Sequence, residues 1–119
     1  KGPDVIYDAI GGDYAEPAFR SIAWDGRYLV VGFAAGDIPR MPLNLPLLKG
    51  ADIVGVFWGS WIDADPAGFA RHLDELKALY EGGKVRPRIY ARFPLEKGGE
   101  AIAQLGDRKV LGKVVVTIG

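Results

Sequence analysis

Three stretches in the first half of the chain are apolar at nearly every position: residues 3–10, 27–31 and 53–58. Each ends in glycine, at Gly11-Gly12, Gly32 and Gly59. Near-continuous apolar runs with β-branched members read as strands covered on both faces, as in a parallel sheet flanked by helices. Between the first two runs, Asp13 stands where it can cap a helix, with Glu16 three residues on in a capping-box-like arrangement. Pro17 falls in the first turn, where a missing N–H does least harm. Ala18, Phe19 and Ile22 give that helix its buried stripe. Asp25-Gly26 is a turn. After the second run comes a loop carrying Gly36, Pro39 and Pro42, then a short helix over residues 43–48 that Pro46 disturbs.

The texture changes after Trp61. Asp65-Pro66 is a strong helix start, a capping side chain followed by proline at the first helical position. Phe69, Leu73, Leu76 and Tyr80 follow at helical spacing, and Gly82-Gly83 stops the helix. Val85, Pro87, Ile89, Ala91 and Phe93 then alternate with Arg86, Arg88, Tyr90 and Arg92, the pattern of a half-solvated strand. Residues 95–105 form a weaker helix, since Gly98-Gly99 disfavours it. Residues 113–118 are a last strand. The chain therefore divides into a buried βαβ-type block, residues 1–60, and a helix, strand, helix, strand block, residues 61–119. It holds no internal repeat and no low-complexity tract.

Charge and composition narrow the chemistry. The 119 residues suffice for one ordinary domain with a core. Fifteen basic residues balance fifteen acidic ones, which argues against a general nucleic-acid partner. No apolar run is long enough to cross a bilayer, and the first residues lack the basic-then-apolar pattern of a signal peptide. The absence of cysteine fits a reducing, cytoplasmic setting. With no cysteine and His72 as the one histidine, the chain cannot supply a typical zinc site. Lys1 is not an initiator residue, so a trimmed or processed chain is expected.

Five phrases, in order, resemble the medium-chain dehydrogenase/reductase superfamily. They are Asp4-Val5-Ile6-Tyr7-Asp8-Ala9-Ile10-Gly11-Gly12, Gly26-Arg27-Tyr28-Leu29-Val30-Val31-Gly32-Phe33, Pro42-Leu43-Asn44-Leu45, Val54-Gly55-Val56-Phe57-Trp58-Gly59 and Leu111-Gly112-Lys113-Val114-Val115-Val116. Their spacing is similar to the C-terminal part of quinone oxidoreductases, over essentially the whole chain. The resemblance implies an α/β fold. Residues 1–60 would be strands 4 to 6 of a doubly wound Rossmann sheet, and residues 61–119 the segment returning to a GroES-like catalytic domain. It also implies an NADPH-dependent, zinc-independent reductase of quinones or α,β-unsaturated carbonyl compounds, and a homodimer joined through strand 53–58.

The pyrophosphate-binding G-x-G-x-x-G turn is absent. In a doubly wound sheet, ligands lie beyond the carboxyl ends of the strands. Three loops fall there: Ile10-Gly11-Gly12, Gly32-Phe33 and Phe57-Trp58-Gly59. The resemblance implies that they contact the nicotinamide and its ribose through backbone groups, which glycine lets a ligand approach closely. The plainer reading is that the glycines only make turns while Phe33 and Trp58 fill core. Lys113 is read as a solvated strand end and Arg86, Arg88 and Arg92 as a solvated strand face. His72 is read as a surface or packing residue, and Asp8 as a hydrogen-bonded structural group; Asp4 and Asp13 carry no acid–base assignment. No catalytic residue is nominated, because in hydride transfer the cofactor carries the chemistry. The alternatives are a non-catalytic assembly module, or part of a zinc alcohol dehydrogenase or an enoyl-thioester reductase.

Overall fold

The computed structural model describes residues 1–108 and 110–119. They form two compact units, Lys1–Pro66 and Ala67–Gly119.

In the first unit three short strands, β1 (Val5–Asp8), β2 (Arg27–Val30) and β3 (Asp52–Gly55), form one parallel sheet in the order β1-β2-β3. Helix α1 (Ala15–Ser21) connects the first two, and α2 (Asn44–Lys49) precedes the third. One sheet face carries Ile6, Tyr28 and Val30 and packs against Ala15, Phe19, Ile22 and Leu45. Phe19 and Ile22 are fully buried, worth about 1.5–3 kcal/mol each as transfer from water. Phe19 meets Tyr28 edge to face at 5.6 Å between ring centroids.

The apolar runs are thus parallel strands, as read, but they are not buried on both faces. Val5, Tyr7 and Val54, on the opposite face, are exposed. Among the described residues of this unit, the buried core lies on the α1 side of the sheet.

Two local readings are corrected. Asp13 makes no capping bond; it lies inside a 3-10 turn, Gly12–Tyr14, and α1 starts from Tyr14 without a side-chain cap. The left-handed Gly11 (φ 67) swings the chain into that turn and displaces the expected cap position. The third strand stops at Gly55 rather than Trp58. Residues Trp58–Ala64 instead form a helix, α3. Phe57 leaves the sheet, and its carbonyl accepts the Trp61 N–H at 3.1 Å, beginning helical pairing. Trp58, Trp61 and Ile62 carry the i, i+3, i+4 spacing that marks this turn.

Helix α4 (Pro66–Glu81) follows. Gly83, at φ +73, donates to the Tyr80 carbonyl at 3.0 Å, and Lys84 donates to that of Leu79 at 2.9 Å. This left-handed stop was expected at Gly82-Gly83. Leu73, Leu76 and Tyr80 of its apolar stripe are exposed.

In the second unit, β4 (Ile89–Pro94) pairs in parallel with β5 (Lys113–Thr117). A 3-10 turn, Leu95–Lys97, and α5 (Gly98–Gly106) connect them. The strand starts later than its alternation implies, after Pro87, which has no N–H to give a ladder. Gly98 and Gly99 occupy the first turn of α5, outside the interior where glycine costs most.

Candidate functional site

Asp8 closes β1 and organises the turn after it. Its Oδ1 accepts the N–H groups of Ile10 and Gly11 at 2.8 and 2.9 Å. Its Oδ2 accepts the hydroxyl proton of Tyr28 from the neighbouring strand. Its main-chain carbonyl accepts Val31 N–H at 2.8 Å and Gly32 N–H at 3.3 Å. Partial burial raises the Asp8 pKa, but the bonds from Tyr28, Gly11 and Ile10 outweigh it and leave the group below the ordinary carboxylate value. Burial, and then the bond to Asp8, push the Tyr28 hydroxyl up, so it stays a donor.

The loops after β1 and β2 are sewn together by Ala34 N–H to the Ala9 carbonyl (3.1 Å) and Ala35 N–H to that of Ile10 (2.9 Å). Gly11 is buried against the Phe33 ring. A Cβ there would lie 2.9 Å from Phe33 Cδ1 on a left-handed backbone, so both space and dihedral require glycine.

Beyond the carboxyl ends of β2 and β3 lies a cleft of about 250 Å³. Gly32, Phe33, Gly55, Val56 and Phe57 line it, with Val30 and Val31 at its floor. A smaller apolar cavity of about 150 Å³, bounded by Tyr28, Phe33, Met41 and Ile53, adjoins it and shares Val30 and Phe33. A larger hollow, about 590 Å³, lies elsewhere, around Gly12, Asp13, Glu16 and Arg40. Its charges are exposed and partly self-paired, Arg20 with Glu16 at 2.6 Å, so it holds no desolvated group aimed at a ligand.

The expected residues therefore divide. Gly32, Phe33 and Phe57 share one cleft, and Gly11 supports Phe33 from beneath. Gly12 lines the charged hollow instead, and Ile10 is half-exposed beside the turn. Trp58 and Gly59 belong to α3 and do not line the cleft. Sequence reasoning missed Gly55 and Val56 as lining groups, having continued the strand past them. It read Asp8 correctly as hydrogen-bonded, without its Tyr28 partner. An aspartate two or three residues ahead of a glycine turn is the signal for a side chain that folds back to accept the N–H groups of that turn.

Among the remaining polar residues, Asp4 faces Lys1 at 3.7 Å. Lys113, Arg88, Arg92 and His72 are exposed, and Arg86 stacks over the Tyr80 ring at 5.8 Å. Among the described residues no group of three or more His, Cys, Asp or Glu side chains could hold a metal. With no cysteine in the sequence, the donors present do not fit a zinc centre. No helix is long and apolar enough to cross a membrane among the described residues.

A family model described as a zinc-binding dehydrogenase matches residues 1–116, and the chain belongs to that family of oxidoreductases. It is 39% identical over 116 residues to a quinone oxidoreductase-like protein 2 homolog from Nematostella vectensis, covering 97% of this chain and 32% of that one. It is 37% identical over 117 residues to quinone oxidoreductase-like protein 2 of Bos taurus, covering 98% and 34%. Among solved structures, a probable oxidoreductase from Mycobacterium abscessus superposes with a TM-score of 0.75 at 32% identity, over 98% of this chain and 33% of the other. A mycobacterial protein solved in complex with NADPH shares the fold, with a TM-score of 0.80 at 21% identity over 97% and 35%. The chain thus spans about a third of the length of the relatives it matches. Its α/β architecture is the Rossmann-type arrangement of medium-chain oxidoreductases.

Proposed function

We propose that this chain is the C-terminal part of an NADPH-dependent oxidoreductase that reduces quinones or α,β-unsaturated carbonyl compounds by hydride transfer. The observation that carries this reading is the cleft between Gly32-Phe33 and Val56-Phe57, set at the carboxyl ends of parallel strands. That is where doubly wound sheets bind their ligands. The relatives named for quinone oxidoreductases and the neighbour solved with NADPH support it.

When bound, the nicotinamide supplies the hydride; the protein supplies position and dryness. Here Gly32 and Gly55 leave the strand-end backbone open to a flat ring. Phe33 and Phe57 flank it as apolar walls. No side chain in the cleft carries a proton to the reaction, and a quinone needs none at the hydride step. Residues 61–119 serve, in this reading, as the return to the catalytic domain. The working protein is cytoplasmic and dimeric through β3.

The 119 residues alone lack the pyrophosphate turn, so the isolated chain binds NADPH weakly and does not turn over. The test is paired. The full-length protein carrying these residues should oxidise NADPH with 1,4-benzoquinone, without added zinc. The isolated chain should show only the uncatalysed rate and no calorimetric binding. A dissociation constant near 1 μM for the isolated chain, about −8 kcal/mol, overturns the division of labour. Activity in the full-length protein that needs zinc moves the reading to the alcohol dehydrogenase branch.

A further inference from the structure

We propose that Tyr28 is a positioning residue for cofactor binding: its hydroxyl holds the Asp8 carboxylate so that one oxygen orders the Ile10-Gly11 turn beneath Phe33. The inference rests on the cofactor reading above and extends it to a residue that does not line the cleft.

Asp8 joins groups from both loops. One carboxylate oxygen takes two successive main-chain donors, Ile10 and Gly11. The other takes the Tyr28 hydroxyl. The Asp8 carbonyl meanwhile receives Val31 and Gly32 from the second loop. A single residue therefore ties both loops to the sheet, one through its side chain and one through its backbone.

A carboxylate holding only the turn could rotate about its terminal torsion, which is broad and nearly two-fold. The Tyr28 hydroxyl removes that freedom. Tyr28 itself is fixed from below: it is 2% exposed and packs edge to face on the fully buried Phe19. Rigidity thus passes from the core cluster through Tyr28 and Asp8 to Gly11. Gly11 has no room to give, because the space a Cβ would occupy is already bounded by Phe33. A turn that relaxes at Gly11 moves the Phe33 ring and with it one wall of the cleft. Groups that hold a binding shell in place weaken binding when lost, although they never touch the ligand.

The experiment measures NADPH affinity by fluorescence titration in the full-length protein, with Tyr28→Phe, Asp8→Ala and Asp8→Asn. Tyr28→Phe keeps the ring and its packing and removes only the hydroxyl. Its Kd for NADPH should rise about tenfold, the scale of one lost hydrogen bond to a charged group. The KM for quinone should stay within roughly a factor of two. Asp8→Asn keeps an acceptor for the turn and should bind within about threefold of wild type. Asp8→Ala should fall at least about tenfold. A stability control outside this relay, Ala101→Gly at a buried position of α5 in the second unit, should lower the melting temperature without changing Kd, which separates positioning from plain loss of stability. Unchanged affinity in Tyr28→Phe, with wild type binding normally, overturns this inference and leaves the cofactor reading intact. If Tyr28→Phe does not fold, equal affinities of Asp8→Asn and Asp8→Ala overturn it. Failure of the wild-type protein to bind NADPH sinks both.

Discussion

At the scale of the residue, the site is built mostly from what is absent. Gly55 ends β3 with nothing within 4 Å of the position a Cβ would take, and its backbone is not left-handed. A β-branched residue is therefore free to stand there as far as the fold is concerned. It would also project into the cleft that Gly55 lines. Gly55→Val should leave unfolding within about 0.5 kcal/mol of wild type. In the full-length protein it should weaken NADPH binding by about tenfold or more, roughly 1.4 kcal/mol. Urea unfolding and fluorescence titration check the two halves. A Gly55→Val protein that binds normally removes the cleft from consideration. Asp8 makes the opposite kind of contribution, from what is present. Its carboxylate lies below the ordinary value when folded, through its bonds to Tyr28, Gly11 and Ile10 and against the opposing effect of burial. A depressed carboxylate adds stability that is present above the unfolded pKa and is lost as pH falls through the folded one. Melting temperature should therefore drop below pH about 4. Asp8→Asn, which has no charge to lose, should show a smaller acid drop. Equal drops in both proteins would mean that other carboxylates carry the acid sensitivity.

At the scale of the element, legibility tracked how local the deciding physics was. Strand positions followed from apolar runs, and the stop after α4 from Gly82-Gly83, because both signals lie within a few residues. The ends of strands were less legible. Phe57-Trp58 continues the apolar run of β3 without a break in polarity, so hydropathy alone cannot show where the chain turns into α3. The i, i+3, i+4 aromatic and apolar positions were the available clue, and they compete with the strand pattern over only a few residues. Asp13 failed as a cap for a related reason. A capping residue must itself have extended backbone, whereas Asp13 lies inside the 3-10 turn that Gly11 (φ 67) and Gly12 (φ 56) lead into. The candidate site inherits this division. Gly32 and Phe33 were legible because a glycine after an apolar run marks a strand end. Gly55, Val56 and the Asp8–Tyr28 link were not, because they depend on which strands are neighbours. Tyr28 lies twenty positions from Asp8 in sequence, and nothing short of the parallel pairing of β1 with β2 brings them together.

At the scale of the whole molecule, the sheet of the first unit has two open edges, β1 and β3. Open edges expose rows of N–H and C=O groups, and proteins usually guard them with lysine, proline or bulges. Residues 53–56 of the β3 edge carry none of these, and Ile53 and Val54 are exposed. Pairing of that edge with its copy in a second chain would satisfy the groups and cover the side chains. The ladder identifies which donors are available. Asp52 N–H donates to the carbonyl of Gly26, just before β2, and Val56 N–H to that of Val30 at its end, both at 2.9 Å. Alternation along the strand then turns the Ile53 and Gly55 N–H groups toward the open side. Proline at Val54 would break the sheet itself, whereas proline at Ile53 removes an outward donor and leaves the bonds to β2 in place. The full-length protein should sediment as a dimer at micromolar concentration. Ile53→Pro should shift it toward monomer while its unfolding stays cooperative, and Val54→Pro should lose cooperative unfolding. A wild-type protein that sediments as a clean monomer would show that the β3 edge is covered from within its own chain. A dimer indifferent to Ile53→Pro would move the interface off this edge, to β1 or to another surface.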